Sequence, residues 1–276
     1  MRQIKRRYLA VIYIILFFFL LTQLIPVLQV FLNSFRSDSE VKMRPFGLPS
    51  KWILTNWPET WVIGNYGLAY MNSLIIAASV IAMVLTLIGL GSYALSKLHF
   101  RGREFFIAYF FVAISLPGFL YIVPDYFMLN KLGLVNTRLS LVILYTAFNL
   151  PFNMLLLRTF LGNIPRELEE AAKIDGCGEL GVFLRITVPI AKTIFLTIAI
   201  LVFVGCWNEF LWASTFISNE LLRPTATKYV KFVGQYSSNM ARIYTASAIT
   251  ILPIVVLYIL FSRRFIEGMT SGSVKG

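Results

Sequence analysis

Long apolar blocks separated by short polar stretches are the feature that most constrains this chain. Hydrophobic residues make up 58% of the 276 residues and charged residues only 14%, against roughly 25% charge in a soluble domain. A helix needs about 20 largely apolar residues to cross a bilayer, and six blocks of the sequence fit that requirement. We therefore predict an all-α, polytopic membrane protein with six transmembrane helices.

The six predicted spans cover residues 8–32, 70–96, 105–129, 139–161, 189–217 and 243–261. Pro26 is expected to bend the first span and Pro151 to interrupt the fourth, because proline removes a backbone hydrogen bond. The mixed stretch at 33–69 reads as an external loop. The predicted divisions are an N-terminal helix with its external loop (1–69), a core of five helices (70–265) and a cytoplasmic tail (266–276).

The net charge of +12 would suggest nucleic-acid binding in a soluble chain. Here the basic residues lie in short loops beside the apolar blocks, where membrane topology accounts for them. Arg2, Lys5, Arg6 and Arg7 precede the first span, and the loop at 97–104 is also basic. Both stretches are predicted to face the cytoplasm, so six spans place both termini there. The first block is too long for the apolar part of a signal peptide and lacks a small-residue cleavage site.

The most polar internal segment lies between the fourth and fifth spans, at 162–185. Pro165 suits the first turn of a helix, and Glu167 and its neighbouring glutamates favour the positive end of the helix dipole. Gly176 can adopt a positive φ and end the helix. A narrow apolar face is predicted, at helical spacing, from Ile164, Leu168, Ala171 and Ala172. The pattern predicts helix, turn, helix; an ordinary solvated surface helix is the alternative interpretation.

Several motifs that the sequence lacks exclude classes of protein. It has no Gly-x-x-x-x-Gly-Lys-Ser/Thr loop to hold ATP phosphates and no His-Glu-x-x-His motif. Residues 176–181 read formally as Gly-x-Gly-x-x-Gly, but a dinucleotide site needs a preceding strand. His99 lies in a basic loop, and Cys177 and Cys206 offer neither a disulfide framework nor a metal spacing. We predict no catalytic residue, no metal site and no cofactor bound by this chain.

Polar residues inside predicted spans are candidates for function, because placing them in a bilayer is costly. Asn208 and Glu209 either line a translocation pathway, or Glu209 bonds to a neighbouring subunit. Asn149, beside Pro151, lies either at a packing kink or on the pathway, and the same two alternatives apply to Pro117 and Pro124 in the third span. Asp125 is nearer the outer end of its span, where solvation is expected. A membrane-embedded enzyme with Glu209 and Asp125 as acid and base is a further alternative, and it lacks a nucleophile and metal ligands.

Several motifs together resemble the sugar branch of bacterial ABC importer permeases, in particular the smaller, six-helix permease of maltose-type importers. Glu-Ala-Ala at 170–172 is followed by Gly176 and then by Ile-x-Val-Pro at 186–189. Further matching stretches are residues 72–74, 92–96, 149–152, 207–211 and 268–276. The similarity spans about 65–276. It implies the architecture of an ABC type I importer permease.

In that family the polar loop is the coupling loop, through which the permease engages a separate ATPase. The resemblance carries docking contacts onto Glu167, Glu170, Ala171, Ala172, Asp175, Gly176 and Pro189. The tail resembles a family tail that reaches between two ATPase subunits, which assigns contacts to Gly268, Thr270, Gly272 and Lys275. Two departures stand out. Val188 replaces the usual leucine, and Thr193 stands where a second proline is common, so the start of the fifth helix is expected to be straighter.

The resemblance implies a permease of the bacterial or archaeal cell (inner) membrane that passes a carbohydrate, expected to be an oligosaccharide, from an external substrate-binding protein into the cytoplasm. The implied partners are a second permease in a heterodimer, an ATPase dimer that carries ATP and Mg²⁺, and the lipid bilayer, with no nucleic acid. The implied mechanism is alternating access, in which the coupling loop transmits closure of the ATPase dimer to the helices. Import of a polyol or glycerol phosphate by the same architecture is an alternative within the family.

Overall fold

The computed structural model describes the backbone of residues 2–235 and 239–270, with side chains described for 8–234 and 239–262. All regular secondary structure in this part of the chain is helical. In chain order the helices are α1 (Arg2–Asn33), α2 (Asp38–Met43), α3 (Asn56–Gly64), α4 (Tyr66–Lys97), α5 (Arg103–Ser115), α6 (Ile122–Lys131), α7 (Arg138–Gly162), α8 (Arg166–Ile174), α9 (Glu179–Val182), α10 (Val188–Ile190), α11 (Lys192–Asn208), α12 (Leu211–Phe216), α13 (Thr225–Gln235) and α14 (Met240–Thr270).

Four of these helices are long and apolar enough to cross a membrane: α1, α4, α7 and α14. Two further candidates are bent pairs, in which Arg103–Ser115 meets Gly118–Lys131 at 92° and Glu179–Ile190 meets Lys192–Asn208 at 77°. Counting each bent pair as one span gives up to six in the described chain. The prediction of an all-α polytopic membrane protein is confirmed. The third span, in which Pro117 and Pro124 were interpreted as kink or pathway positions, is bent, and the fifth, predicted as one helix, is bent as well.

The bend in the third span lies at Leu116 and Pro117. Leu116 has φ −93° and ψ 125°, the extended conformation that a following proline favours. Pro117 has ψ 125°, so the chain leaves α5 at Ser115 and passes through the 3₁₀ turn Gly118–Tyr121 before α6. The chain therefore changes direction at Pro117, one of the two prolines of this span that were interpreted as kink or pathway positions.

Pro151, by contrast, lies inside the continuous helix α7, so the predicted interruption of the fourth span is wrong. The side-chain amide of Asn149 donates to the Tyr145 carbonyl at 2.8 Å, and that of Asn153 donates to the Asn149 carbonyl at 2.7 Å. These amides bond to the backbone on the turns around the proline. α7 also packs against α5, α11 and α12. Packing on several sides therefore accompanies an unbroken helix despite the proline.

The chain forms two compact units. The first contains Met1–Gly67 and Lys228–Pro253, and the second contains Leu68–Thr227 and Ile254–Gly276. The divisions predicted at residues 69 and 265 stay predictions. Residues 228–253 belong to the first unit although they are distant from it in sequence. The predicted divisions were consecutive segments and so did not include this pairing.

In the first unit the predicted external loop is an ordered structure with two short helices, α2 and α3. Arg36 is 1% exposed and forms an ion pair with Glu40 at 3.2 Å. The Glu40 carboxylate also accepts hydrogen bonds from the backbone N–H and the hydroxyl of Ser50, each at 2.9 Å. α4 then begins at Tyr66, four residues before the predicted start. The sequence suggested a loop because these helices are too short to show a clear apolar period.

Asp38 joins the two stretches of the first unit. Its carboxylate accepts the backbone N–H of Met240 at 2.6 Å and pairs with Lys42 at 2.6 Å. Partial burial raises the pKa of Asp38, but the hydrogen bonds from Lys42 and Met240 outweigh it and hold that pKa below its usual 3.8. Thr245 adds a second link, because its hydroxyl donates to the Ser34 carbonyl at 3.1 Å.

The core of the second unit is built mainly from α4, α7, α11 and α12. Its largest fully buried apolar side chains include Ile76, Ile88, Leu141, Leu157, Ile198 and Phe216. At one end Asn72 accepts a hydrogen bond from Arg138 at 2.9 Å and donates to the Leu221 carbonyl at 2.8 Å. This contact fixes the connection after α12 to the starts of α4 and α7.

Candidate functional site

The Glu-Ala-Ala segment (residues 162–191) connects α7 to α11 and begins with the amphipathic helix α8. Pro165 precedes the first helical residue, and Glu167 and Glu169 lie in the first turn. Proline tolerates this position because the backbone N–H that it lacks would have no partner there. The carboxylates lie near the positive end of the helix dipole. The start of α8 is therefore where the sequence predicted it.

The end of α8 is set by Gly176, which has φ +84°. Its N–H donates to the Lys173 carbonyl at 3.0 Å, and the N–H of Cys177 donates to the Ala172 carbonyl at 3.0 Å. This pair of backward hydrogen bonds is the Schellman motif, which needs a left-handed residue at the glycine position. The predicted turn at Gly176 is thus observed, with the physical reason that was given for it.

The two faces of α8 lie in opposite environments. Glu169 and Ala172 are 6% and 7% exposed and face the rest of the second unit. Ala172, a member of the predicted docking set, lies three residues after Glu169 on the same inward face, and its contact with a partner protein stays a prediction. The exposed residues of the predicted docking set in and just after α8 are Glu167, Glu170, Ala171, Asp175 and Gly176.

A buried ion pair anchors the inward face of α8. Lys97, the last residue of α4, places its Nζ 2.9 Å from Glu169 Oε1, and the two side chains are 3% and 8% exposed. The same Nζ donates to the Ile164 carbonyl at 2.7 Å. Sequence reasoning treated Lys97 as a topology signal and did not select Glu169. The pairing joins residues 72 positions apart, and no spacing rule links them.

Tyr93, one turn before Lys97 on α4, contacts the second helix of the segment. Its hydroxyl donates to Glu179 Oε2 at 3.0 Å, and Lys173 of α8 pairs with Glu179 Oε1 at 2.5 Å. Residues at i and i+4 lie on the same face of a helix. One face at the end of α4 therefore contacts both α8 and α9.

The return from the segment to α11 is bent by 77°. Phe183–Thr187 form a π-helical turn just before α10, in which Pro189 is the second residue. A proline ring displaces the carbonyl four residues earlier, which is that of Arg185 inside the π turn. Ala191 has ψ +6° and is fully buried. The expectation that Thr193 would straighten this region is therefore wrong, because the chain bends at Ala191 without a second proline.

The predicted fifth helix over 189–217 is broken a second time, after Asn208. α11 ends there, Glu209 has ψ 118°, and α12 begins two residues later. The polar pair selected from the sequence thus lies at a junction between two helices. Asn208 is exposed, and its assignment to a translocation pathway stays a prediction.

Glu209 holds this junction together. Its carboxylate accepts the backbone N–H groups of Trp212 at 2.9 Å and Ala213 at 3.0 Å, which are donors that the first turn of a helix leaves unpaired. It also accepts the Tyr145 hydroxyl of α7 at 2.7 Å. Neither sequence interpretation of Glu209 included these partners. A carboxylate just before a short helix is the signal that was available for them.

The other polar candidates are less closely connected. The Asn149 amide bonds to its own helix at the Tyr145 carbonyl, so this donor is occupied within α7. Asp125 is half-buried in the first turn of α6. Among the described residues, no group of three or more His, Cys, Asp or Glu side chains could hold a metal ion.

The sixth predicted span is longer than expected, since α14 continues to Thr270 instead of ending near residue 261. Gly268 and Thr270 lie at the end of this helix, beyond the last described side chain. Gly272 and Lys275 lie outside the described residues. The tail contact assigned to these four positions stays a prediction.

The described chain is all-helical, and its polar helical segment is anchored on one face and exposed on the other. This arrangement is typical of membrane-embedded transport subunits. The chain is a member of the family described as "Binding-protein-dependent transport system inner membrane component", whose profile matches residues 86–269. It is an ABC transporter permease, a subunit whose ATPase is a separate protein. This replaces the alternative of a membrane-embedded enzyme.

Individual relatives agree with this membership. The chain is 31% identical to the diacetylchitobiose uptake system permease protein of Streptomyces coelicolor, over 98% of this chain and 90% of that protein. It is 31% identical to the arabinooligosaccharides transport system permease protein of Halalkalibacterium halodurans, over 91% of each. A solved bacterial ABC transporter, involved in import of the acidic polysaccharide alginate, matches with a TM-score of 0.82 and 25% identity, over 94% of this chain and 97% of the matched chain.

Proposed function

We propose that this chain is the permease of a carbohydrate importer and that the exposed face of α8 docks a separate ATPase. The main support for this docking surface is that one face of α8 is exposed and the other is buried. Glu170 and Ala171 are exposed, whereas Glu169 is buried against α4. A solvated surface helix has no need of a buried ion pair beneath it. A small residue between acidic ones suits a partner that packs closely and carries basic groups.

The names of the relatives support a carbohydrate as the transported solute. Diacetylchitobiose, arabinooligosaccharides and alginate are all built from linked sugar units. An oligosaccharide, delivered by an extracytoplasmic binding protein, is the cargo we propose. The family description, which names binding-protein-dependent transport, supports the delivery step. The resemblance to maltose-type systems supports a second permease as heterodimer partner.

The proposed mechanism is alternating access driven from outside the chain. ATP and Mg²⁺ are bound by the ATPase dimer, and its closure moves α8. Both termini and the Glu-Ala-Ala segment lie on the cytoplasmic side in this proposal, which the basic residues at 97–104 and before the first span support. Asn149, Asn208 and Glu209 are proposed to lie along the pathway. The tail positions Gly268, Thr270, Gly272 and Lys275 form a second proposed contact with the ATPase.

The docking surface is tested by purifying the tagged chain from its host and measuring co-purifying ATPase. In Glu170→Lys we expect loss of uptake and of the ATPase response to loaded binding protein, because the exposed acidic face gains the opposite charge. Solute binding to the external protein should be unchanged. Glu104→Lys, which also reverses an exposed charge, is the matched control. Normal uptake by Glu170→Lys, or no ATPase with the wild-type chain, would contradict the proposal.

The cargo is tested separately by uptake into vesicles that contain the complex and the binding protein. A panel of labelled mono- and oligosaccharides is offered beside polyols and glycerol phosphate. We expect saturable, ATP-dependent uptake of an oligosaccharide. Uptake confined to a polyol or glycerol phosphate would overturn the carbohydrate assignment and leave the docking surface intact.

A further inference from the structure

The ion pair between Lys97 and Glu169 is unusual because both charges are almost excluded from solvent. Their side chains are 3% and 8% exposed, with 2.9 Å between Nζ and Oε1. Lys97 also binds the Ile164 carbonyl at 2.7 Å, at the point where the chain enters α8. One ammonium group therefore holds both the start of the Glu-Ala-Ala segment and the helix that follows it.

The stability of the fold does not explain such a pair. Taking two charges out of water costs about as much as their attraction returns, and well-packed neutral side chains often serve equally well. What a buried pair does provide is a single geometry, because any sliding of one partner leaves the other charge unpaired in an apolar place. The joint between α4 and α8 is therefore stiff.

The exposed pair within the same segment is a useful contrast. Lys173 and Glu179 are 44% and 49% exposed, so water can replace either partner and the pair constrains little. Tyr93 adds one hydrogen bond from α4 to the half-exposed carboxylate of Glu179. The two polar links described from α4 to the segment therefore differ, because only the one through Lys97 joins two buried charges. That link ends on α8, whose opposite face is exposed.

We propose that Lys97 and Glu169 are positioning residues that lock α8 to the end of α4, so that α4 is the transmembrane helix that moves with α8. This inference rests on the proposed function, because it names the route by which motion at the docking surface enters the membrane. Neither residue touches the ATPase or the cargo in this scheme. Their effect is on how much transport results from each ATP hydrolysed.

The test uses the whole complex in proteoliposomes and measures solute taken up per ATP hydrolysed. The paired variant Lys97→Met/Glu169→Gln removes both charges, so no unpaired charge is left to unfold the protein. We expect it to retain bound ATPase and to hydrolyse ATP, while uptake per ATP falls about tenfold, within the usual range for coupling between sites. Lys97→Arg keeps the charge and its donors and should keep most of the ratio. Lys131→Met, at an exposed lysine, is the control for loss of charge.

A second variant covers the case in which the paired variant does not assemble. Glu169→Asp keeps both charges but withdraws the carboxylate by one methylene, and we expect a partial fall in uptake per ATP with normal assembly. A wild-type ratio in the paired variant, or in Glu169→Asp when that is the variant that assembles, overturns the inference. If the wild-type chain itself binds no ATPase, the proposed function fails instead, which separates the two outcomes.

Discussion

Two carboxylates hold helix junctions in the second unit, and they do so with different partners. Glu169 pairs with the buried ammonium of Lys97, whereas Glu209 receives two backbone N–H groups and the Tyr145 hydroxyl. Removing the charge of Glu169 leaves an unpaired cation inside the protein, but removing that of Glu209 leaves neutral donors. The comparison teaches that a carboxylate with one buried charged partner can be more sensitive to neutralisation than a carboxylate that accepts from three neutral donors.

The largest effect is expected from Glu169→Gln, which strands the Lys97 ammonium. Breaking a buried pair from one side costs about 3 kcal/mol or more, and this should appear as a lower unfolding midpoint of the purified chain. The paired variant Lys97→Met/Glu169→Gln should recover most of the loss. If the single variant is as stable as the paired one, the two charges are not effectively buried. The proposed difference between Glu169 and Glu209 would then be contradicted.

Glu209→Ala is expected to cost somewhat less, about 2 kcal/mol, because the three hydrogen bonds that are lost are only part-buried and water can replace much of the carboxylate. Glu209→Gln keeps an acceptor oxygen and should cost only about 1 kcal/mol. The same thermal measurement applies. A larger loss for Glu209→Gln than for Glu169→Gln would reverse the comparison and show that the charge of Glu209 is the essential property.

Gly176→Val tests the exposed side of the Glu-Ala-Ala segment. No heavy atom lies within 4 Å of an added Cβ, so the expected cost of about 1–2 kcal/mol comes from φ +84° alone. We expect α8 to lose its defined end and uptake to become uncoupled from ATP hydrolysis. Gly178→Val is the matched control, since its added Cβ also meets no neighbour and its φ is −74°. Equal uptake by the two valine variants would show that the turn is unimportant.

The smallest effect is expected at Asp38, a partly exposed carboxylate in the first unit. Its pKa lies below 3.8 in the folded chain, so its contribution is present above that pH and is lost as the pH falls through the lowered pKa. Because Lys42 is half exposed, the contribution should be less than about 1 kcal/mol. Acid unfolding of Asp38→Asn beside the wild type measures it. A stability difference between Asp38→Asn and the wild type that does not shrink as the pH falls below 3.8 would contradict this account.

Local chemistry allowed part of this structure to be predicted. Pro165 and Gly176 fix the ends of α8 by backbone rules that depend on neighbours in sequence, and both lie where expected. Pro117 and Pro151 show the limit: each stands in an apolar block, yet α5 ends just before Pro117 and α7 runs through Pro151. Which outcome occurs depends on what packs around the helix.

The contacts at Glu169 and Glu209 were not predicted for a similar reason. Each carboxylate is bonded to a residue on another helix, Lys97 or Tyr145. Helix periodicity assigns a residue to a face but does not say which face of which helix it meets. The docking set was carried over from the motif and stays a prediction, whereas the anchoring contact of Glu169 with Lys97 depends on the three-dimensional register of α4 and α8.

The π-helical turn at Phe183–Thr187 sets an angle as well as a length. A π turn closes its hydrogen bonds one residue later than an α turn, and each α-helical residue advances the chain by about 100° around the axis. Deleting one residue there would rotate α9 by roughly that amount relative to α11 and carry Glu179 away from Tyr93. The extra residue of the π turn thus sets the rotation of α9 about its axis, and with it which residues of α9 face α4.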